Sequence, residues 1–292
     1  MHDATDVIRL ACFGGLLVAF ALAEALAPRR ARVLSRWERW PANLGLVALN
    51  AAAVPLLAGT TAVGAAVLAQ HHGWGLLHQV ALPPAFAIVV AIVFLDLVVY
   101  LQHVMFHALP ALWRLHAVHH SDTELDVTSG TRFHLLEIAI SLAIKLAAIV
   151  LIGAPVAAVI AFEVLLNAMA MFNHANCRLP QGLDRVLRRA VVTPDVHRVH
   201  HSVRTDETNT NFGFNLSCWD RLFGTYRAQP VDGHEGMRLG LEHFRSAKAH
   251  RLLPLLVQPF LGSGSEASEP QPGARLGLAA GFATLRLLSR RR

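Results

Sequence analysis

Three short histidine runs stand out in this chain. His103 and His107 lie in HVMFH, His116, His119 and His120 in HAVHH, and His197, His200 and His201 in HRVHH. Residues three and four apart on an α-helix share a face, so each run is expected to aim two or three imidazoles at one point. Neutral imidazole is a good donor to iron, zinc and copper. Of 17 histidines, ten fall between residues 103 and 201, and the two outside the runs, His134 and His174, stand alone. Ten histidines in that stretch point to a metal centre. His71, His72, His78, His234, His243 and His250 are read as interfacial or core residues. Cys12, Cys177 and Cys218 are scattered and offer neither a disulfide framework nor a CxxC metal knuckle.

The elements that must position these side chains are apolar. Of 292 residues, 54% are hydrophobic and 16% charged, with mean hydropathy +0.42. A soluble domain carries roughly 25% charged residues, so a membrane bundle is expected. Apolar stretches predict spans at about 8–27, 43–69, 85–100, 135–152 and 155–172, the third running on into HVMFH. The last two form a hairpin around Gly153-Ala154-Pro155, and Pro83-Pro84 breaks the chain before the third. Asp3 and Asp6 precede the first span, and Arg29, Arg30, Arg32, Arg36 and Arg39 follow it. That charge order is the reverse of a cleaved leader's and places the arginine-rich end in the cytoplasm. Counting crossings brings the ends of the first, third and fifth spans and the start of the fourth to that same side, together with the histidine runs.

Local signals agree. Thr193-Pro194 ahead of DVHRVHH reads as an N-cap followed by proline at the first helical position. Asp96 lies two turns before His103, Asn167 and Glu163 lie on the His174 face, and Glu137 follows His134 by three. Ionisable groups within spans face the bundle interior, and metal-bound imidazoles pass their other N–H to a carboxylate or carbonyl. Asp96, Glu137, Glu163 and Asn167 are therefore candidates to support the ligands, with pairing to Lys145 or helix capping as the alternative. The chain divides into N-terminal membrane helices (1–84), a catalytic region (85–228), a polar C-terminal section (229–262), and a linker with a basic tail (263–292), the tail being either a surface helix or unstructured. Basic residues interleaved with aromatics along a polar domain are missing, which speaks against nucleic acid.

Taken together the motifs resemble the fatty acid hydroxylase / sterol desaturase superfamily of membrane-bound di-iron enzymes. TRFHLLE around His134, FNHANCRLP around His174, and DETNTNFGFNLSCWDRLFGTY are similar to further elements of that family, and the resemblance covers about residues 85–228. Leu135 stands where proline is usual, and Phe212 where many members have tyrosine, which leaves the substrate subgroup open. The resemblance implies an all-α integral membrane bundle of four to five spans under a cytosolic helical cap. It implies a di-metal site held by His103, His107, His116, His119, His120, His197, His200 and His201, with His134 and His174 completing the set. Asn211 and Asp220 are expected to support the cap. Two iron ions, replaceable by zinc in purified protein, and O2 would hydroxylate or desaturate a fatty acyl or sterol-like C–H bond.

The sequence holds no haem attachment motif, no cysteine-rich iron–sulfur run and no GxGxxG following a strand. Electrons are therefore expected from a separate donor, a ferredoxin or a cytochrome b5-like protein. The Ala/Arg-rich composition leans towards a bacterial inner membrane, with the metal site on the cytoplasmic side. Alternatives of the same fold are an ether-lipid (alkylglycerol) monooxygenase and a lipid head-group hydroxylase. Alternatives of another class are a zinc-dependent membrane hydrolase and a metal transporter. The first lacks HExxH and would use three protein ligands. The second would place its ligands near the bilayer midplane. A serine hydrolase would need a GxSxG element, and none is present.

Overall fold

The computed structural model describes residues 2–261. The expected linker and basic tail at 263–292 lie outside the described residues. Thirteen α-helices make up the described chain: α1 (His2–Leu26), α2 (Arg36–Ala58), α3 (Ala62–His72), α4 (Pro84–Ala108), α5 (Pro110–His120), α6 (Leu135–Ile152), α7 (Val156–His174), α8 (Gln181–Leu187), α9 (Pro194–His200), α10 (Thr205–Thr208), α11 (Cys218–Leu222), α12 (Gly233–Gly236) and α13 (Leu252–Val257). Among the described residues β-structure amounts to isolated bridges, such as Pro28 with Cys177. The all-α expectation is met.

Three helices, α4, α6 and α7, are long and apolar enough to cross a membrane, and Leu10–Leu26 is a shorter apolar stretch. Their outward positions carry Val89, Val93, Leu151 and Leu165 exposed, as lipid-facing surfaces do. The predicted span at 43–69 is not one helix. Gly59 takes a left-handed conformation (φ 66°) that ends α2, and Thr61 starts α3 by accepting the Gly64 N–H on its hydroxyl. The break follows from the residues: GTT after an alanine-rich run offers a left-handed glycine and a capping hydroxyl together.

The core between the long helices sets alanines against large apolar residues of α3, α4, α6 and α7, including Ala66, Ala91, Leu95, Ile149, Ala158 and Phe162. The segment after α3 sits against the α6–α7 turn, where a Cβ on Gly75 would lie 2.1 Å from the Gly153 nitrogen. Only glycine allows that approach. The turn is thereby fixed at the end of the bundle opposite the histidines.

At the histidine end a buried charge network joins α2 to the loop after α5. Arg39 is fully buried and donates to Asp122 at 2.6 and 2.8 Å, to Asp126 at 2.7 Å and to the Ser129 hydroxyl at 3.1 Å. Arg132 donates to the Val118 carbonyl and the Ser121 hydroxyl. The C-terminal section closes over it: Gln258 donates to the Ala117 carbonyl and accepts from Ser121. This network restrains the last turn of α5, where His119 and His120 sit. Removing one partner of a buried pair leaves an uncompensated charge and costs about 3–5 kcal/mol. Arg39→Leu is therefore expected to lower the melting temperature of the detergent-purified protein markedly, by roughly 10 °C. A melting curve that coincides with wild type would show that Arg39 contributes no net stability.

Candidate metal centre

Each histidine run lies on a helix end. His103 and His107 occupy the last turns of α4, His116, His119 and His120 the end of α5, and His197 and His200 the end of α9 with His201 just after it. Thr193 does precede Pro194 at the start of α9, but its hydroxyl donates to Asp184 rather than capping. His174 ends α7. These helix ends converge on one buried volume.

The imidazoles there form two groups. His103, His107, His116, His120 and His200 make one, and His119, His174, His197 and His201 the other, with ligand atoms within each lying within 4.8 Å of one another. Each HxxHH run aims two of its three imidazoles at one group and sends the third to the other. Positions i and i+4 are about 40° apart around a helix, whereas i+3 sits about 100° from i+4. His116 and His120 accordingly go to the first group and His119 to the second, while His197 and His201 go to the second and His200 to the first. Helices α5 and α9 each supply both groups, in opposite proportion.

Hydrogen bonds at the far ring nitrogens set the tautomers. The Nδ1–H of His103 donates to the Phe212 carbonyl (2.8 Å), that of His200 to Thr210 (2.8 Å), that of His174 to Ala170 (2.7 Å), and that of His116 to Glu137 Oε1 (2.6 Å). A carbonyl or carboxylate only accepts, so each Nδ1 carries the proton and each Nε2 carries a lone pair. His103 and His116 then face each other through Nε2 lone pairs at 3.1 Å. In the second group Nε2 of His174 lies 3.1 Å from His119, 3.0 Å from His197 and 3.2 Å from His201. Nε2 of His107, His120 and His200 are buried without a partner. Facing lone pairs repel, and buried acceptors left unpaired are costly. A cation in each group satisfies them all, so the residues present fit a pair of metal ions. Burial pushes the His116 imidazole down to about 3 and holds His119, His120, His197, His200 and His201 well below the ordinary range. The rings therefore stay neutral at pH 7, the form that ligates.

Other candidates fall elsewhere. His134 lies outside both groups: its Nδ1 accepts the Leu136 N–H as the cap of α6, and its Nε2 lies 3.2 Å from the Leu256 carbonyl. Of the four supporting candidates, Glu137 is the one seen to touch a clustered imidazole. Asp96 instead accepts from Trp219 Nε1 (2.8 Å) and the Leu216 N–H (3.2 Å), because two turns of helix put it about 10 Å below His103. Glu163 pairs with Lys145 (2.9 Å), and Asn167 donates to the Glu163 carbonyl. Asn211 and Asp220, expected to support the cap, bond the loops that follow α9. Asn211 donates to the Val196 carbonyl, and Asp220 accepts from the Gly213 N–H and the Thr225 hydroxyl.

Three contributors escaped sequence reasoning. The backbone of residues 209–212 supplies carbonyls to His103 and His200, and Asn209 lies 3.3 Å from His107. Trp113 packs its ring on His107 and His120, at centroid distances of 4.8 and 5.2 Å. Its position on α5, three residues before His116, was the available signal. Gly130 lets the turn after α5 press on α7 beside His174, since a Cβ there would lie 2.2 Å from the Ala170 oxygen.

A family model for fatty acid hydroxylase matches residues 88–225, the segment that carries nine of these histidines in its two groups. The match supports the likeness to the fatty acid hydroxylase superfamily read from the histidine motifs. It is 34% identical over 183 residues to ornithine lipid hydroxylase OlsE of Rhizobium tropici, covering 62% of this chain and 53% of that one. It is 29% identical over 145 residues to the human alkylglycerol monooxygenase and 30% to that of Xenopus tropicalis, covering 49% of this chain and 30% of theirs. The chain thus spans about half the length of the rhizobial relative and under a third of the other two. No solved structure matches.

Two substitutions separate ligand support from helix capping. Glu137→Gln is expected to weaken metal binding about ten- to a hundredfold, read by chelator competition. His134→Ala is expected to leave metal content unchanged while costing about 1 kcal/mol of stability through the lost cap. Metal loss in the His134 variant comparable to that of His119→Ala would overturn this division.

Proposed function

We propose that the protein is a membrane-bound, O2-dependent di-iron oxygenase that hydroxylates a lipid. The observation carrying the reading is the pair of facing imidazole groups, with nine ring nitrogens turned inward and no acid pair or nucleophile among them. An unactivated C–H bond lies beyond the reach of side-chain acid–base chemistry, and two bound iron ions supply the reduction of O2 that oxidises it. For hydroxylation the balance is one C–H and O2 with two electrons and two protons, giving an alcohol and water. This chain's own residues hold and shield the site. Phe212 packs against His103, His107 and His200 and Phe133 stacks on His119, walls that exclude water. Glu137 orients His116 through Oε1, and its Oε2, which has no protein partner, is a place for a proton. Phe212 carries no hydroxyl and donates none.

The named relatives, an ornithine lipid hydroxylase and an alkylglycerol monooxygenase, support hydroxylation of a lipid over desaturation. Helix ends at one end of the bundle suit such a substrate, since the chain can stay in the bilayer while the head reaches the site. Electrons come from a separate donor, a ferredoxin or a cytochrome b5-like protein, in a bacterial inner membrane with the site facing the cytoplasm.

The test is elemental analysis of anaerobically purified protein supplied with iron, paired with mass spectrometry of lipids from expressing cells. Close to two irons per chain and a lipid pool gaining one oxygen are expected, with both lost in His119→Ala and His200→Ala. A single zinc that persists under iron supply, with lipids unchanged, would favour hydrolytic or structural use.

A further inference from the structure

The outer face of the first half of α2 has the makings of a lipid site. Arg36 donates to the Ala21 carbonyl of α1, whose neighbour Phe20 packs on Phe172 at the end of α7. Fourteen residues later, Asn50 donates to the Phe133 carbonyl just before α6. The end of α7 and the start of α6 lie at the same end of the bundle. The stretch 36–50, about 21 Å long, therefore runs across that end rather than along the bundle. Its inner face, Arg39, Ala42, Asn43 and Leu46, is buried against the cap. Its outer face presents Trp37, 88% exposed, with Pro41 and Leu44. An in-plane helix with outward tryptophan is the arrangement that membrane interfaces select.

A cavity of about 430 Å³ opens on this face, lined by Arg36, Trp37, Trp40, Pro41 and Leu44. Its walls are apolar except for one guanidinium, which lies 4.9 Å over the Trp40 ring. Charge here is unbalanced. Glu24 accepts from both Arg32 (2.8 Å) and Arg36 (3.0 Å), so two guanidiniums share one carboxylate. Nε of Arg32 and Nε of Arg36 are buried with no hydrogen-bond partner. An apolar groove beside surplus positive charge and unpaired donors calls for an amphiphile with an anionic head.

We propose that this groove binds an anionic phospholipid of the surrounding bilayer, its acyl chain against Trp37, Trp40, Pro41 and Leu44 and its phosphate on Arg36 and Arg32. The site is separate from the histidine centre and independent of the reaction assigned to it.

The experiment titrates detergent-purified full-length protein with phosphatidylglycerol and with phosphatidylcholine of the same acyl chains, and reads retained lipid by native mass spectrometry. Wild type is expected to retain phosphatidylglycerol about fivefold better, the effect of one unpaired cationic side chain at a lipid surface. Arg36→Gln should abolish that preference. Because Arg36 also bonds α1, Trp37→Ala serves as the second variant. Its exposed ring holds no cap contact in place, and it should reduce retention of both lipids severalfold at unchanged melting temperature. Equal retention of the two lipids by wild type would overturn the proposal, as would full retention by Trp37→Ala.

Discussion

Nitrogen lone pairs that point at one another across about 3 Å are unstable neighbours in a dry interior. The protein nonetheless sets six imidazoles that way and buries the Nε2 of three more beside them without a partner, and much of the fold can be understood as holding them there. Carbonyls of residues 170, 210 and 212 and the Glu137 carboxylate take the outer N–H groups of four rings, which forces the lone pairs inward. Helices α4, α5, α7 and α9 carry these rings in or just beyond their last turns. The repulsion is relieved by cations, so the arrangement is the sign of a site made for metal rather than of a polar core.

Around that centre lies a second layer held by charge instead of by hydrophobic packing. Arg39 reaches from α2 to Asp122 and Asp126, Arg132 back to the end of α5, and Gln258 across from the C-terminal section. None of these touches an imidazole of the two groups. They restrain the backbone from which His119 and His120 project, and a site built on the ends of several helices depends on such restraint more than one built within a single helix does.

The metal-binding character, the all-helical class and the membrane-crossing candidates were legible in the sequence, because histidine spacing and long apolar runs are one-dimensional signals. The division into two groups was not, since it turns on the 100° between successive residues on two helices whose relative placement only the fold supplies. His134 illustrates a different limit. Its motif context matched, yet its ring serves as the cap of α6, and capping and ligation draw on the same nitrogen. The break between α2 and α3 was written in Gly59 and Thr61 but hidden by the hydropathy that surrounds them. Asp96 was placed on the right face and at the wrong height.

The sharing of α5 and α9 between both groups has a consequence for biosynthesis. His200 belongs to one group and His201 to the other, so neither coordination sphere is complete until the ribosome has passed these adjacent codons, long after the apolar helices have been made. The two sites mature together rather than in sequence. Gln258, which fastens the loop beside them, is synthesised later still.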